Sequence, residues 1–328
     1  MGRLSTSILA VAACAAAGAV LWSQRPAQPP AVPIESVLAH ARPMSADPGL
    51  QLSPRFSPDA RLVAFALAEG DDSRIVVQAT DGSSRRFIGA EEGVRVSPVF
   101  LPDGRRIAFW QAAPEGCGIF ERDLDSGSER RLLDCTMLPR VRFDISGDGR
   151  ALVFTGSPSA DARAGLWLLP LDGGAPRPLT NPPEGAGDDL HPRFSSDGRT
   201  VAFFRGPEGL RQPWIVSVDE PAQAHAAGRE CGRCYGLAWM GKELLVAGDW
   251  YGQPGLRAVD SRAGSSRVVG GEGARFPDVS SRGDVVYERA RGAEASGAPS
   301  SKARIETAAN RVRADEGVAQ IDLVLARR

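Results

Sequence analysis

A pattern that opens with Pro54-Arg55-Phe56-Ser57-Pro58-Asp59 and runs on through Arg61-Leu62-Val63-Ala64-Phe65 returns along the chain. A second copy is Pro98-Val99-Phe100-Leu101-Pro102-Asp103-Gly104, leading into Ile107-Ala108-Phe109. Another is Pro192-Arg193-Phe194-Ser195-Ser196-Asp197-Gly198, leading into Val201-Ala202-Phe203. Between these lies Phe143-Asp144-Ile145-Ser146-Gly147-Asp148-Gly149-Arg150, followed by Leu152-Val153-Phe154. Weaker copies start at Gly236 and Pro277. Aligning one apolar residue per copy (Phe56, Phe100, Phe143, Phe194, Trp239 and Val279) gives spacings of 40 to 51 residues. Repeats of that length, built from short strands and tight turns, mark the blades of a β-propeller. Six copies predict six blades.

Within a unit, the aromatic stretch before the turn is an inner strand and the Asp-Gly pair makes the hairpin. The apolar run after it is buried on both faces. A third strand follows, as in Gly118-Ile119-Phe120, Gly165-Leu166-Trp167 and Pro213-Trp214-Ile215, and Arg177-Pro178-Leu179-Thr180 is an outer strand. After the sixth copy comes a low-complexity stretch from Ala290 to about Gly317, then Gln320-Ile321-Asp322-Leu323-Val324-Leu325, which reads as a third strand. Arg42-Pro43-Met44-Ser45 matches the outer-strand sequence, so the N-terminal strand is expected to complete the last blade and hide both edges. The fold class is all-β, a six-bladed β-propeller closed by an N-terminal strand and preceded by an apolar helix.

Leu4 to Trp22 carries no charge and follows Arg3. As a helix it would span roughly 28 Å, close to the hydrocarbon thickness of a bilayer. Three fates are open: a retained anchor, a cleaved signal peptide, or a lipoprotein leader ending at Val11-Ala12-Ala13-Cys14. Pro26, Pro29, Pro30 and Pro33 make an extended spacer. The chain therefore divides into residues 1–24 (signal peptide or transmembrane anchor), 25–35 (Pro-rich linker) and 36–328 (propeller). Formal net charge is -1, so no field gathers nucleic acid. With three His in all, a multi-histidine metal site is not expected.

The Ser-Pro-Asp-Gly-like turns followed by Arg, Val or Ile, Ala and Phe resemble the WD40-like repeat of TolB-type propellers, over about Ser36 to Arg328. That group includes the propeller of the periplasmic Tol-Pal system and propellers fused to prolyl peptidases. It also includes the periplasmic domains of membrane-spanning winged-helix regulators, whose edges Ala46 to Pro58 and Asp322 to Leu325 most resemble. The resemblance implies a monomeric envelope protein, held at the periplasmic face of the inner membrane by residues 4–22, that binds a protein or peptide partner.

Cys117 and Cys135 are equidistant from Ser126, inside the turn of a predicted hairpin, and should face each other within disulfide distance. Cys231-Gly232-Arg233-Cys234 suits a local disulfide. Zinc ligation would need the two pairs to meet, although they belong to separate blades, and a redox Cys-x-x-Cys motif normally opens a helix. Two disulfides fit an oxidising compartment.

No Gly-x-Ser-x-Gly elbow is present, which argues against serine hydrolysis. Asp59, Asp103, Asp148 and Asp197 are each expected to cap their own turn. No catalytic residue and no cofactor is assigned. The slot three residues before each aligned apolar residue holds Ser53, Ser97, Arg140, His191 and Phe276, and should ring the mouth of a central channel. Asp188 and Asp189 precede His191, so a weak metal or ligand site is conceivable there. Trp250 and Tyr251 are either exposed contact aromatics or core. Three functions stay open: a partner-binding module, a ligand sensor linked to signalling, and a metal-assisted hydrolase in the channel.

Overall fold

The computed structural model describes residues 32–45, 49–89, 92–114, 116–135, 142–157, 164–292, 304–306, 311–313 and 318–328. The expected apolar helix and most of the linker lie outside these residues. Among the described residues no helix is long and apolar enough to cross a membrane.

A short helix α1 (Ile34–Ala39) buries Ile34, Val37 and Leu38, and β1 (Arg42–Pro43) follows. The first repeat comprises β2 (Leu50–Phe56), β3 (Leu62–Glu69), β4 (Asp72–Ala79) and β5 (Arg85–Ile88). The second comprises β6 (Val94–Phe100), β7 (Arg106–Ala113), β8 (Gly116–Asp123) and β9 (Glu129–Asp134). The third has β10 (Phe143–Ile145), β11 (Ala151–Gly156), β12 (Gly165–Pro170) and β13 (Arg177–Pro178). The fourth has β14 (Asp188–Phe194), β15 (Thr200–Gly206), β16 (Gln212–Ser217) and β17 (His225–Ala226). The fifth has β18 (Arg233–Met240), β19 (Glu243–Asp249), β20 (Pro254–Asp260) and β21 (Ser266–Gly270). The sixth has β22 (Ala274–Val279) and β23 (Val285–Gly292), a short hairpin β24 (Arg304–Glu306) and β25 (Arg311–Arg313), and β26 (Val318–Ala326).

Each repeat is an antiparallel meander, yet the strands do not form six separate sheets. Hydrogen bonding groups them into one sheet of twelve strands, three of four, and the two-stranded hairpin. The reason is local. Single parallel pairings, Leu50 with Ile321 and Ser73 with Val94, tie the sixth, first and second repeats into one ladder. As expected, β1 pairs antiparallel with β26, Arg42 against Leu325 and Pro43 against Val324, and β26 is the third strand beside β23.

The second strand of each repeat is apolar on both faces because it is packed between neighbours. Phe65, Phe109, Phe154, Phe203, Val246 and Tyr287 occupy the same place in β3, β7, β11, β15, β19 and β23, and all are fully buried. Burying each stabilises the fold by about 1.5–3 kcal/mol. The apolar clusters lie between successive repeats, and one of them joins Phe56, Val63 and Phe65 to Val286, Leu323 and Leu325, so packing closes from the sixth repeat onto the first. The architecture is an all-β propeller.

The Ser-x-Asp turns are self-capped. Ser57 Oγ donates to Asp59 Oδ1 at 2.6 Å, and Ser146 with Asp148 and Ser195 with Asp197 repeat the contact. In each, the same carboxylate accepts the amide two residues on. The second repeat has Leu101 in place of the serine, and Asp103 takes the Arg105 and Arg106 amides instead.

Candidate functional site

The inner strands β2, β6, β14 and β22 each carry a proline one residue after the slot: Pro54, Pro98, Pro192 and Pro277. Proline has no N–H to give to the ladder, so pairing slips by one residue there and a bulge forms. The slips fall at Leu52/Arg55, Val96/Val99, Leu190/Arg193 and Arg275/Asp278. At every one of them the slot residue takes a positive φ: 59° at Ser53, 55° at Ser97, 57° at His191 and 43° at Phe276. A non-glycine residue held there costs about 1–3 kcal/mol, and such strain is concentrated at functional sites.

These side chains meet as expected. Ser53, Ser97, His191 and Phe276 line one cavity of about 40 Å³, together with residues from every repeat. Arg140, however, lies outside the described residues, and the third-repeat slot is filled by Arg142. The hairpin register explains this. Ser57 and Ser146 each receive the backbone bond that closes their turn, which equates Phe56 with Ile145 and Ser53 with Arg142. Phe143, taken as the aromatic anchor, occupies the place of Pro54. The fifth repeat supplies Gly236, which the sequence reading passed over because it carries no side chain. Glycine is needed there: a Cβ on Gly236 would lie 2.7 Å from Phe276 Cα.

Arg142 donates to Ser53 Oγ and stacks over the Phe276 ring, its guanidinium carbon 3.7 Å from the centroid. Burial lowers the Arg142 pKa to about 10, so it stays charged at neutral pH. His191 rests edge-on against Phe276 and Phe204, with centroids 5.5 and 6.0 Å away. Burial, reinforced by the Arg142 and Arg211 charges, holds its imidazole well below the usual range, hence neutral. Among the described residues the buried His191 Nδ1 and Ser97 Oγ have no hydrogen-bond partner. The Ser53 amide donates to Glu288 Oε1 at 2.6 Å, and burial raises the pKa of that carboxyl.

Two residues further along the inner strands sits a second, fully paired layer, which the sequence reading missed. Arg55 Nη2 donates to Asp144 Oδ1 at 2.6 Å and its Nε approaches Asp278 Oδ1 at 3.5 Å. Arg193 bonds the same Asp278 oxygen. The second oxygens accept the backbone amides of the following repeats: Phe194 on Asp144 and Phe56 on Asp278, both at 2.8 Å. These carboxylates hold strands together and are committed to that task.

Asp189 is likewise occupied. It takes Arg205 with both oxygens at 2.7 Å, and Thr180 Oγ1 at 2.5 Å. Asp188 Oδ1 accepts the Ala164 amide at 3.1 Å, so both carboxylates of the conceived metal site beside His191 already have partners. Among the described residues no group of three or more His, Cys, Asp or Glu is placed to hold a metal ion. Cys117 is joined to Cys135 and Cys231 to Cys234, each pair with Cα atoms 5.6 Å apart. Trp250 is buried over Cys231 and Cys234, whereas Tyr251 is 73% exposed. Asp249 pairs with Arg233 and Gly206 with Asp188, so the loops carrying Tyr251 and Leu210 lie at the end where β18 and β14 begin.

The sequence profile of the TolB beta propeller domain matches residues 19–239. The chain belongs to the TolB β-propeller family. TolB from Acinetobacter baumannii shares the fold at a TM-score of 0.56 with 18% identity, over 70% of this chain and 57% of that one. The chain thus spans little more than half the length of that TolB. An oligogalacturonate lyase from Vibrio parahaemolyticus aligns at 0.54 with 12% identity, over 88% and 93% of the two chains. A chain of a nidogen/laminin complex aligns at 0.55 with 15% identity, over 66% and 78%. Likeness at these identities speaks for fold alone. No curated protein sequence matches the chain.

Proposed function

We propose that this TolB-type propeller is a non-enzymatic module that binds a protein or peptide partner in the bacterial cell envelope, on the periplasmic side of the inner membrane. In this reading residues 1–24 export or anchor the chain, 25–35 are the spacer and 36–328 are the binding domain. The same reading counts the twelve-stranded sheet as three blades joined by two parallel pairings, for six blades in all. Two disulfides suit that oxidising setting.

The observation that carries the proposal is the convergence of the slots. Four strained residues, Arg142 and Gly236 line one cavity, and Tyr251 and Leu210 stand exposed in loops at the end where β18 and β14 begin. An exposed aromatic beside a preorganised cavity is the composition of a contact surface. The carboxylates nearest the axis are bound by arginines and amides, which leaves them ill-suited to move protons.

The test is capture from envelope extracts by the full chain, followed by reconstitution with the purified partner. A His191→Ala/Tyr251→Ser double variant that remains folded should lose the captured protein. Equal capture by both forms would dismiss the mouth as the binding face. A ligand-sensing role, the second reading, draws on the polar side chains that line the cavity, and predicts saturable binding of a small molecule in the absence of any protein.

A further inference from the structure

We propose that Arg142, Ser97 and His191 form a subsite for a single carboxylate group, presented by the partner as an acidic side chain or a C-terminus. The inference rests on the partner-binding reading of the same mouth and names what the mouth recognises.

Three observations lead there. First, the charges near the cavity do not balance locally. Arg55 and Arg193 are matched by Asp144 and Asp278. Arg142 has no ion pair among the described residues. Glu288 acts on it only through space and already accepts the Ser53 amide. A buried cation lacking a bonded carboxylate is a strong attractor for one, because charge-assisted hydrogen bonds to guanidinium are short and specific.

Second, the unused polar atoms are suited to an anion. Ser97 Oγ carries a rotatable hydroxyl, and neutral His191 can place its proton on Nδ1; both atoms are buried without partners. An unmade bond at a buried group is destabilising, and a ligand accepting both would relieve that cost. Phe276 stacks on the guanidinium and keeps its plane fixed.

Third, size and charge select the class. A cavity of about 40 Å³ holds roughly three water molecules, enough for a carboxylate. One unpaired guanidinium with two neutral donors matches a monoanion and leaves a phosphate dianion uncompensated.

The experiment is an NMR titration of the full chain, read on the His191 ring resonances. The probes are N-acetyl-glycyl-glutamyl-glycinamide (side-chain carboxylate), N-acetyl-diglycine (terminal carboxylate), their uncharged glutamine and amide counterparts, and inorganic phosphate. Saturable shifts with at least one carboxylate probe, weakened tenfold or more by Arg142→Gln and by Ser97→Ala, support the proposal. The stronger of the two carboxylate probes identifies the source. Ser97→Ala removes no bond made in the free protein, so it keeps the test valid if Arg142→Gln fails to fold. Acid and amide probes binding alike, phosphate binding more tightly than either acid, or no shift with any probe overturns it. Partner capture that persists while the probes fail would sink this subsite alone. Probe binding without partner capture would sink the partner reading alone.

Discussion

Two layers of the same inner strands, two residues apart, use charge in opposite ways. In the deeper layer Arg55, Asp144, Arg193 and Asp278 satisfy one another and two backbone amides. Among the described residues, Arg142 in the slot layer bonds only a hydroxyl and stacks on a ring, and two buried polar atoms have no partner. Buried polar groups are ordinarily paired. One layer therefore reads as construction and the other as a surface waiting for a guest. The contrast also shows that charge near an axis is no sign of chemistry until its partners are counted.

The most damaging change should be Asp278→Ala. It leaves Arg193 and the Phe56 amide without their acceptor and removes one of the two carboxylates near Arg55. Losing one partner of a buried pair costs about 3–5 kcal/mol. Urea unfolding at neutral pH should show a loss of that size; a change near zero would mean that the deeper layer is not structural. Next comes Gly236→Ala, which thrusts a methyl group into Phe276. Overpacking of this kind costs about 1–3 kcal/mol, and it should also weaken partner capture by displacing the ring under Arg142.

A smaller effect concerns pH. Burial depresses the His191 pKa in the folded state, so the unfolded chain binds the extra proton first. Stability conferred by neutral His191 is present above the ordinary imidazole pKa and falls as pH drops below about 6.5. Glu288, with a raised pKa, acts in the other direction, losing stability as pH rises above the usual carboxylate range. The informative quantity is thus a difference. The gap in urea midpoint between wild type and His191→Gln should narrow from pH 7.5 to pH 5, and a constant gap would refute the depressed imidazole. Smallest of all is Ser97→Ala, which removes a hydroxyl that bonds to nothing. Its melting temperature should match the wild type, and a clear loss would place Ser97 in the structural layer.

Much of this arrangement was legible because it repeats. The Ser-x-Asp turns, the doubly buried second strands, the closing strand at Arg42 and both cysteine pairs follow from local spacing. The slot itself was legible through Ser53, Ser97, His191 and Phe276, each of which precedes a proline. The third repeat failed by two residues because an aromatic at Phe143 imitates Phe56 in sequence, although the turn serine sets the register. Gly236 was invisible for want of a side chain. The paired layer had a faint signal: arginine in the first and fourth repeats, aspartate in the third and sixth, always just before the last residue of the inner strand. Such residues look like ordinary strand charges until the ring brings repeats far apart in sequence across the axis. The twelve-stranded ladder depends on two backbone pairings that no side-chain pattern announces.

The union of β1 with β26 has a temporal consequence. Arg42 is among the first residues of the domain to be made and Leu325 among the last, yet they are neighbours in one ladder. During synthesis the early repeats can fold while the circle stays open, with β1 idle until the final stretch arrives. Loss of that stretch leaves an unlocked ring with two bare edges, a form that proteases and aggregation find first.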